Sequence, residues 1–167
     1  TDIHKTSQIR LRDISDVEGD QYTGEGMTNN ISAEIISDLI QKKSNYFPSL
    51  EEAANKIILK LNKPKNINLF VPLSEYLSSE HNIRVATIPP EIKHDTIRYY
   101  DPVAKTLVIS DRLPQASRTF LVAQQMGLLL ADDEINEILD ESNIEDGEVR
   151  KLGRLALSNY FAGAIIL

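Results

Sequence analysis

The octapeptide Ala123–Leu130, AQQMGLLL, carries two adjacent glutamines inside an otherwise apolar stretch. Its spacing is that of the helical motif HExxH. There, histidines at i and i+4 lie on one helix face and grip zinc, while the glutamate activates a bound water. Aligned on that frame, Gln124 stands at the first histidine, Gln125 at the glutamate and Leu128 at the second histidine. Zinc takes nitrogen, sulfur or carboxylate ligands, and none of these three side chains supplies one. What remains is amide chemistry. Glutamine donates and accepts hydrogen bonds without charge, which suits a neutral thioester or amide better than a bare cation. Successive helix residues point about 100° apart, so the two glutamines need not face one cavity. Taken alone, the octapeptide is a core helix with two glutamines. Gly127 argues for more: glycine inside a helix costs about 1 kcal/mol relative to alanine, and close approach of a second helix would be its reason. His4, His81 and His94 have no partners at metal-ligand spacing, and no Ser/His/Asp or Cys/His set is present. The histidines are read as ordinary side chains without function.

The elements that must position these residues follow from pattern. Residues 1–30 are polar, with Gly19, Gly24 and Gly26, and read as a linker or arm. Gly24-x-Gly26 has no following strand–helix unit, so it is no nucleotide fingerprint. Ile31, Ile35, Ile36, Leu39 and Ile40 recur at helical spacing. Pro48 interrupts that helix, and Ser49 with Glu52 has the form of a capping box for the next. A short helix is expected near Pro72. The period then changes: Ile83–Ile88, Thr96–Asp101 and Thr106–Ser110 alternate and are rich in β-branched residues. The tight connection Asp101–Lys105 predicts a hairpin. A helix is expected from Pro114, a short acidic one after Ala131, and a final, nearly apolar helix through Leu167. The acidic run Asp132–Glu148 is read as a solvated face. The fold class is therefore α+β, a small, mostly antiparallel three-stranded sheet packed on a helical bundle. Residues 31–82 form the N-terminal helices and 83–167 the core, within one domain.

Bulk properties narrow the function. The formal net charge of −7 opposes direct contact with nucleic acid, whose binding needs a basic face. The chain has no cysteine, so disulfides, thiolate zinc sites and cysteine-held clusters are excluded within it, and a reducing cytoplasm fits. No apolar run approaches the roughly 18 residues of a membrane span. The polar start without methionine and the apolar end read as the interior of a longer chain.

Four stretches, NYFPSLEEAA (45–54), RYYDPVAKTLVIS (98–110), RTFLVAQQMGLLL (118–130) and LSNYFAGAIIL (157–167), resemble the zincin-like ImmA/IrrE-type domain. They resemble most its branch of short-chain fatty acyl-responsive, XRE-type bacterial transcriptional regulators. The resemblance covers about residues 35–167. It implies a central sensing and dimerisation domain whose helix-turn-helix reader lies outside this segment. It also implies a short-chain acyl-CoA or related effector in a vestigial, metal-free cleft, and no cofactor in this chain. In active relatives an acidic third ligand stands one or three positions before the "AN" of the second helix. Here the pair is Ser158-Asn159, and those positions hold Leu157 and Leu155. The expected ligand-binding set is Arg98, Tyr100, Arg118, Gln124, Gln125, Leu128 and Tyr160. The arginines would take a phosphate or carboxylate, and Tyr160 would offer its polar tip. Phe161 and Asn159 are read as structural, and Tyr46 and Phe47 as packing the N-terminal helices onto the core. Two alternatives stand beside this reading: a dimerisation scaffold whose cavity is filled by Leu128, Leu155 and Leu157, and an active zinc metallopeptidase.

Overall fold

A computed structural model of the chain describes residues 26–61, 68–88, 97–145 and 147–167. Most of the expected arm, together with His4 and His94, lies outside them. Among the described residues, no helix is long and apolar enough to cross a membrane.

Helix α1 spans Gly26–Lys42 and so reaches back into the segment read as an arm. It ends in two consecutive left-handed residues, Ser44 and Asn45, each with φ 55°. Helix α2, Pro48–Lys60, corrects the capping-box expectation: its N-cap is Phe47, and no side chain caps it. Proline at the first helical position has its φ already set for the helix, and that draws the start forward and leaves Ser49 and Glu52 within the first turns. Helix α3 is Phe70–His81, entered from Asn68, whose Oδ1 accepts the Phe70 N–H at 2.8 Å.

Strands β1 (Arg84–Ile88), β2 (Arg98–Asp101) and β3 (Thr106–Ser110) form one sheet in the order β1-β3-β2. The β2–β3 hairpin is present, with Asp101 Oδ1 accepting the Val103 and Ala104 amides at 3.0 and 3.1 Å. β1 pairs with β3 in parallel, Arg84 opposite Thr106 through Ile88 opposite Ser110. The sheet is therefore mixed, one antiparallel and one parallel pair. The cause is strand order: chain direction alternates from β1 to β2 to β3, so placing β3 beside β1 aligns two like-directed strands.

Helix α4 (Gln115–Leu130) covers the sheet, with Leu107 and Ile109 of β3 fully buried. Helix α6 (Gly147–Ile166) runs through the centre, packing against α1, α2, α4 and the short α5 (Asp132–Glu141). Two glycines set how closely it sits. A methyl group on Gly127 would stand 3.0 Å from Phe161 Cδ1, so α4 and α6 approach as the sequence suggested. One on Gly153 would stand 2.7 Å from Leu139 Cδ2 and 3.0 Å from Ile36 Cδ1, where α1, α5 and α6 meet.

The acidic run is more than a solvated face. Ile135, Ile138 and Leu139 of α5 are buried, while Asp132 and Asp140 pair with Arg154 at 2.6 Å and Arg150 at 2.9 Å. Asn136 Oδ1 accepts from both arginines. The carboxylates thus dock α5 on α6, using the basic residues that the last helix spaces one turn apart. Phe47 is buried as expected, whereas Tyr46 is exposed.

Candidate functional site

Gln124 and Leu128 lie four residues apart on α4, and Leu155 and Asn159 lie four apart on α6. Each pair therefore shares a helix face. Gln124 is fully buried, and its Nε2 donates to Oδ1 of Asn159, which is 7% exposed. That single bond leaves Gln124 Oε1 and Asn159 Nδ2 buried with no protein partner among the described residues. The result does not depend on which way the two amides are turned. Two amides sharing one hydrogen bond always leave one carbonyl and one NH2 group over. A buried polar group without a partner costs roughly 1–3 kcal/mol, so the pair is an energetic liability in an otherwise apolar interface. Ser158 beside it is satisfied locally, its hydroxyl donating to Leu155 O at 2.7 Å.

Gln125 turns to the sheet instead. It is 8% exposed, and its Oε1 accepts from Arg98 Nη1 of β2 at 2.9 Å. The two glutamines thus serve different neighbours, as their angular separation requires. Tyr100, opposite Leu107 on β3, is half-buried against the core. Leu128 is half-buried, Leu155 is buried, and Leu157 is fully buried in the core cluster. Arg118 sits near the start of α4, with Nη1 3.5 Å from Asp111 Oδ1 and its guanidinium 5.9 Å from the centre of the Phe70 ring.

Tyr160 is committed elsewhere. Its hydroxyl donates to Glu51 Oε1 at 2.7 Å and accepts the Phe47 N–H at 3.2 Å. Its ring meets Phe47 edge-on, with centroids 5.1 Å apart. Burial, and then the bond to Glu51, push the phenol up to about 12 from its ordinary 10.0. The protonated form is the one the fold holds, so the contribution is complete below about pH 10 and is lost as pH rises through about 12. Chemical denaturation at stepped pH should show wild type more stable than Tyr160→Phe at neutral pH, with the gap closing between pH 10 and 12. A gap independent of pH would contradict the assignment.

The structure thus brings Gln124 to Asn159 and Arg98 to Gln125, and it ties Tyr160 to α2. The sequence reads Asn159 as structural, with ligand binding as the other role open to it, and does not foresee its pairing with Gln124. The available signal was its position one helical turn after Leu155, facing the frame in which Gln124 replaces a histidine. The donor set does not fit zinc. The Gln124 amide is bonded to Asn159, the Gln125 oxygen already carries a guanidinium, and Leu128, Leu155 and Leu157 offer no donor atom. Among the described residues, no group of three or more His, Cys, Asp or Glu side chains is placed to hold a metal ion.

Comparisons with known proteins agree with this geometry. Residues 78–167 match a peptidase-family model described as the IrrE N-terminal-like domain. Two relatives from Mycobacterium tuberculosis are named HTH-type transcriptional regulators. RamB is 24% identical over 167 residues, spanning 99% of this chain and 35% of that protein. PrpR is 28% identical over 134 residues, spanning 80% and 27%. A solved structure described as a Mycobacterium tuberculosis transcriptional regulator superposes with a TM-score of 0.73 at 28% identity, over 80% of this chain and 40% of that one. The chain therefore spans about a third of the length of the curated relatives it matches. The family match takes in more than half of the residues, including both helices of the amide pair, and the chain belongs to the IrrE N-terminal-like domain family as a member whose HExxH frame is degenerate.

Proposed function

We propose that this chain is the effector-sensing and self-association domain of a cytoplasmic bacterial transcriptional regulator. Its effector is a short-chain acyl-CoA or a related metabolite held beside Gln124 and Asn159. The observation that carries the reading is the unpaired carbonyl and NH2 left by the Gln124–Asn159 bond. A short acyl-CoA answers both: its thioester carbonyl accepts from the free NH2, and an amide N–H of its pantetheine arm donates to the free carbonyl. Arg98, held on Gln125, and Arg118 are the cations assigned to the acidic part of such a molecule. The resemblance to regulators and the naming of the relatives support the role. Residues 31–82 and 83–167 act as one unit, and DNA contact belongs to a helix-turn-helix region outside this acidic segment.

An effector shifts a regulator only through unequal affinity for two of its states. Here the two states differ in whether the amide pair is satisfied, and hence in how α4 and α6 pack. Isothermal calorimetry with acetyl-, propionyl- and butyryl-CoA tests this. Saturable binding of at least one, with a stoichiometry of one per chain, is expected. Absence of binding by all three would remove the sensing role. The burial of Leu155 and Leu157 favours the second reading, a dimerisation scaffold with a filled cavity. That reading predicts no heat with any thioester and a concentration-dependent dimer in sedimentation.

A further inference from the structure

We infer that Tyr160 and Glu51 are positioning residues that couple the amide pair to the α1–α2 turn. The inference rests on the sensing role proposed for that pair, because it assigns the route by which the site's state leaves it.

Asn159 and Tyr160 are consecutive on α6 but serve different partners. Asn159 faces Gln124 of α4, while the Tyr160 hydroxyl bridges Glu51 Oε1 and the Phe47 N–H of α2. A helix moves as a hydrogen-bonded rod, so a displacement that re-pairs Asn159 carries Tyr160 with it. The hydroxyl acts on the first turn of α2, because Phe47 is the N-cap and Glu51 lies in the opening turn. Phe47 packs its ring on Tyr160, which adds a second contact at the same point.

The segment that receives this push is built to have few arrangements. Ser44 and Asn45, immediately before Tyr46 and Phe47, are both left-handed with φ 55°. Left-handed backbone is unfavourable for most residues other than glycine and, less so, asparagine, so the strain falls chiefly on Ser44. The turn is held in it by Ser44 N–H to Gln41 O and Asn45 N–H to Ile40 O, both 2.9 Å. A joint that survives only while its surroundings over-determine it is one that a small shift can release. α1 leads into this joint and packs against α6, with Ile36 beside Gly153.

The test is a cycle read by amide hydrogen exchange on this same chain, without any ligand. The amides of Ser44, Asn45 and Phe47 are followed in wild type, Gln124→Leu, Tyr160→Phe and the double variant. Tyr160→Phe keeps the ring and its edge contact with Phe47, so the fold persists. Gln124→Leu is expected to speed exchange at Ser44 and Asn45 at least fivefold in the wild-type background, and less than twofold in the Tyr160→Phe background. Glu51→Gln, which still accepts the phenol hydrogen, should restore the wild-type pattern, whereas Glu51→Ala should behave as Tyr160→Phe. Equal factors in both backgrounds overturn the coupling, because a tyrosine that merely stabilised α2 would multiply independently. Since no thioester enters the experiment, a failure here is separate from a failure to bind acyl-CoA.

Discussion

Phe161→Ala is expected to lower the free energy of unfolding by about 3–5 kcal/mol, the range for truncating a buried aromatic side chain. Phe161 is fully buried at the centre of α6 and lies against the one α4 position without a side chain. Its Cδ1 and Cβ would stand 3.0 and 3.3 Å from a methyl group on Gly127, so the two helices are in contact through the ring itself. The companion variant gives the prediction its sign. Gly127→Ala alone should destabilise: inserting a methyl group into packed surroundings costs about 1–3 kcal/mol, against a gain of about 1 kcal/mol in helix propensity. In the Phe161→Ala background the same change should stabilise, since the methyl then enters the space the ring has left. Urea denaturation of the four proteins reads this directly. Additive effects would mean that α4 and α6 do not meet where the glycine and the ring place them.

Gln124→Leu with Asn159→Leu is the second large effect, and it separates stability from function. Either change alone leaves the remaining amide buried with no partner, and should cost about 1–3 kcal/mol or more. Both together remove both unpaired groups of the pair and leave two apolar side chains of similar size in an apolar interface. That exchange is near neutral or stabilising, because a half-satisfied polar network is worse than none. The double variant should therefore match or exceed wild type in thermal stability, while its affinity for acyl-CoA falls at least a hundredfold. A double variant less stable than either single would show that the pair is a structural bond and nothing more. If it is stable and still binds thioester tightly, the effector sits elsewhere.

Periodicity carried most of the fold. The β2–β3 hairpin was legible because Asp101 and Pro102 leave few other connections, and the final helix because its residues turn apolar from Leu155 onward. The parallel pairing of β1 was not legible, because alternation tells which residues form a strand and not which strand lies beside which. The cap at Phe47 was hidden for a related reason: its amide partner is Tyr160, a side chain 113 residues away, and the local Ser49–Glu52 pattern competed with it. At the site, the loss of two zinc ligands at Gln124 and Leu128 and of the water-activating carboxylate at Gln125 was legible from the alignment of one octapeptide. Asn159 needed the register of α4 against α6, which Gly127 hinted at and only the tertiary structure supplied. Tyr160 was singled out as a ligand candidate because a polar tip must find a partner when buried, and in the structure the half-buried ring has a protein partner for it. Composition cannot say which way such a tip points, and here it points to α2.

The most direct test of the central claim, that a dismantled metal frame now reads the neutral thioester end of a metabolite, is an NMR titration of the side-chain amide groups of Gln124 and Asn159. Propionyl-CoA should move the Asn159 NH2 resonances saturably and in step with those of Gln124, and zinc should leave both in place. Zinc displacing them at one equivalent, or a bound thioester leaving them untouched, would contradict it.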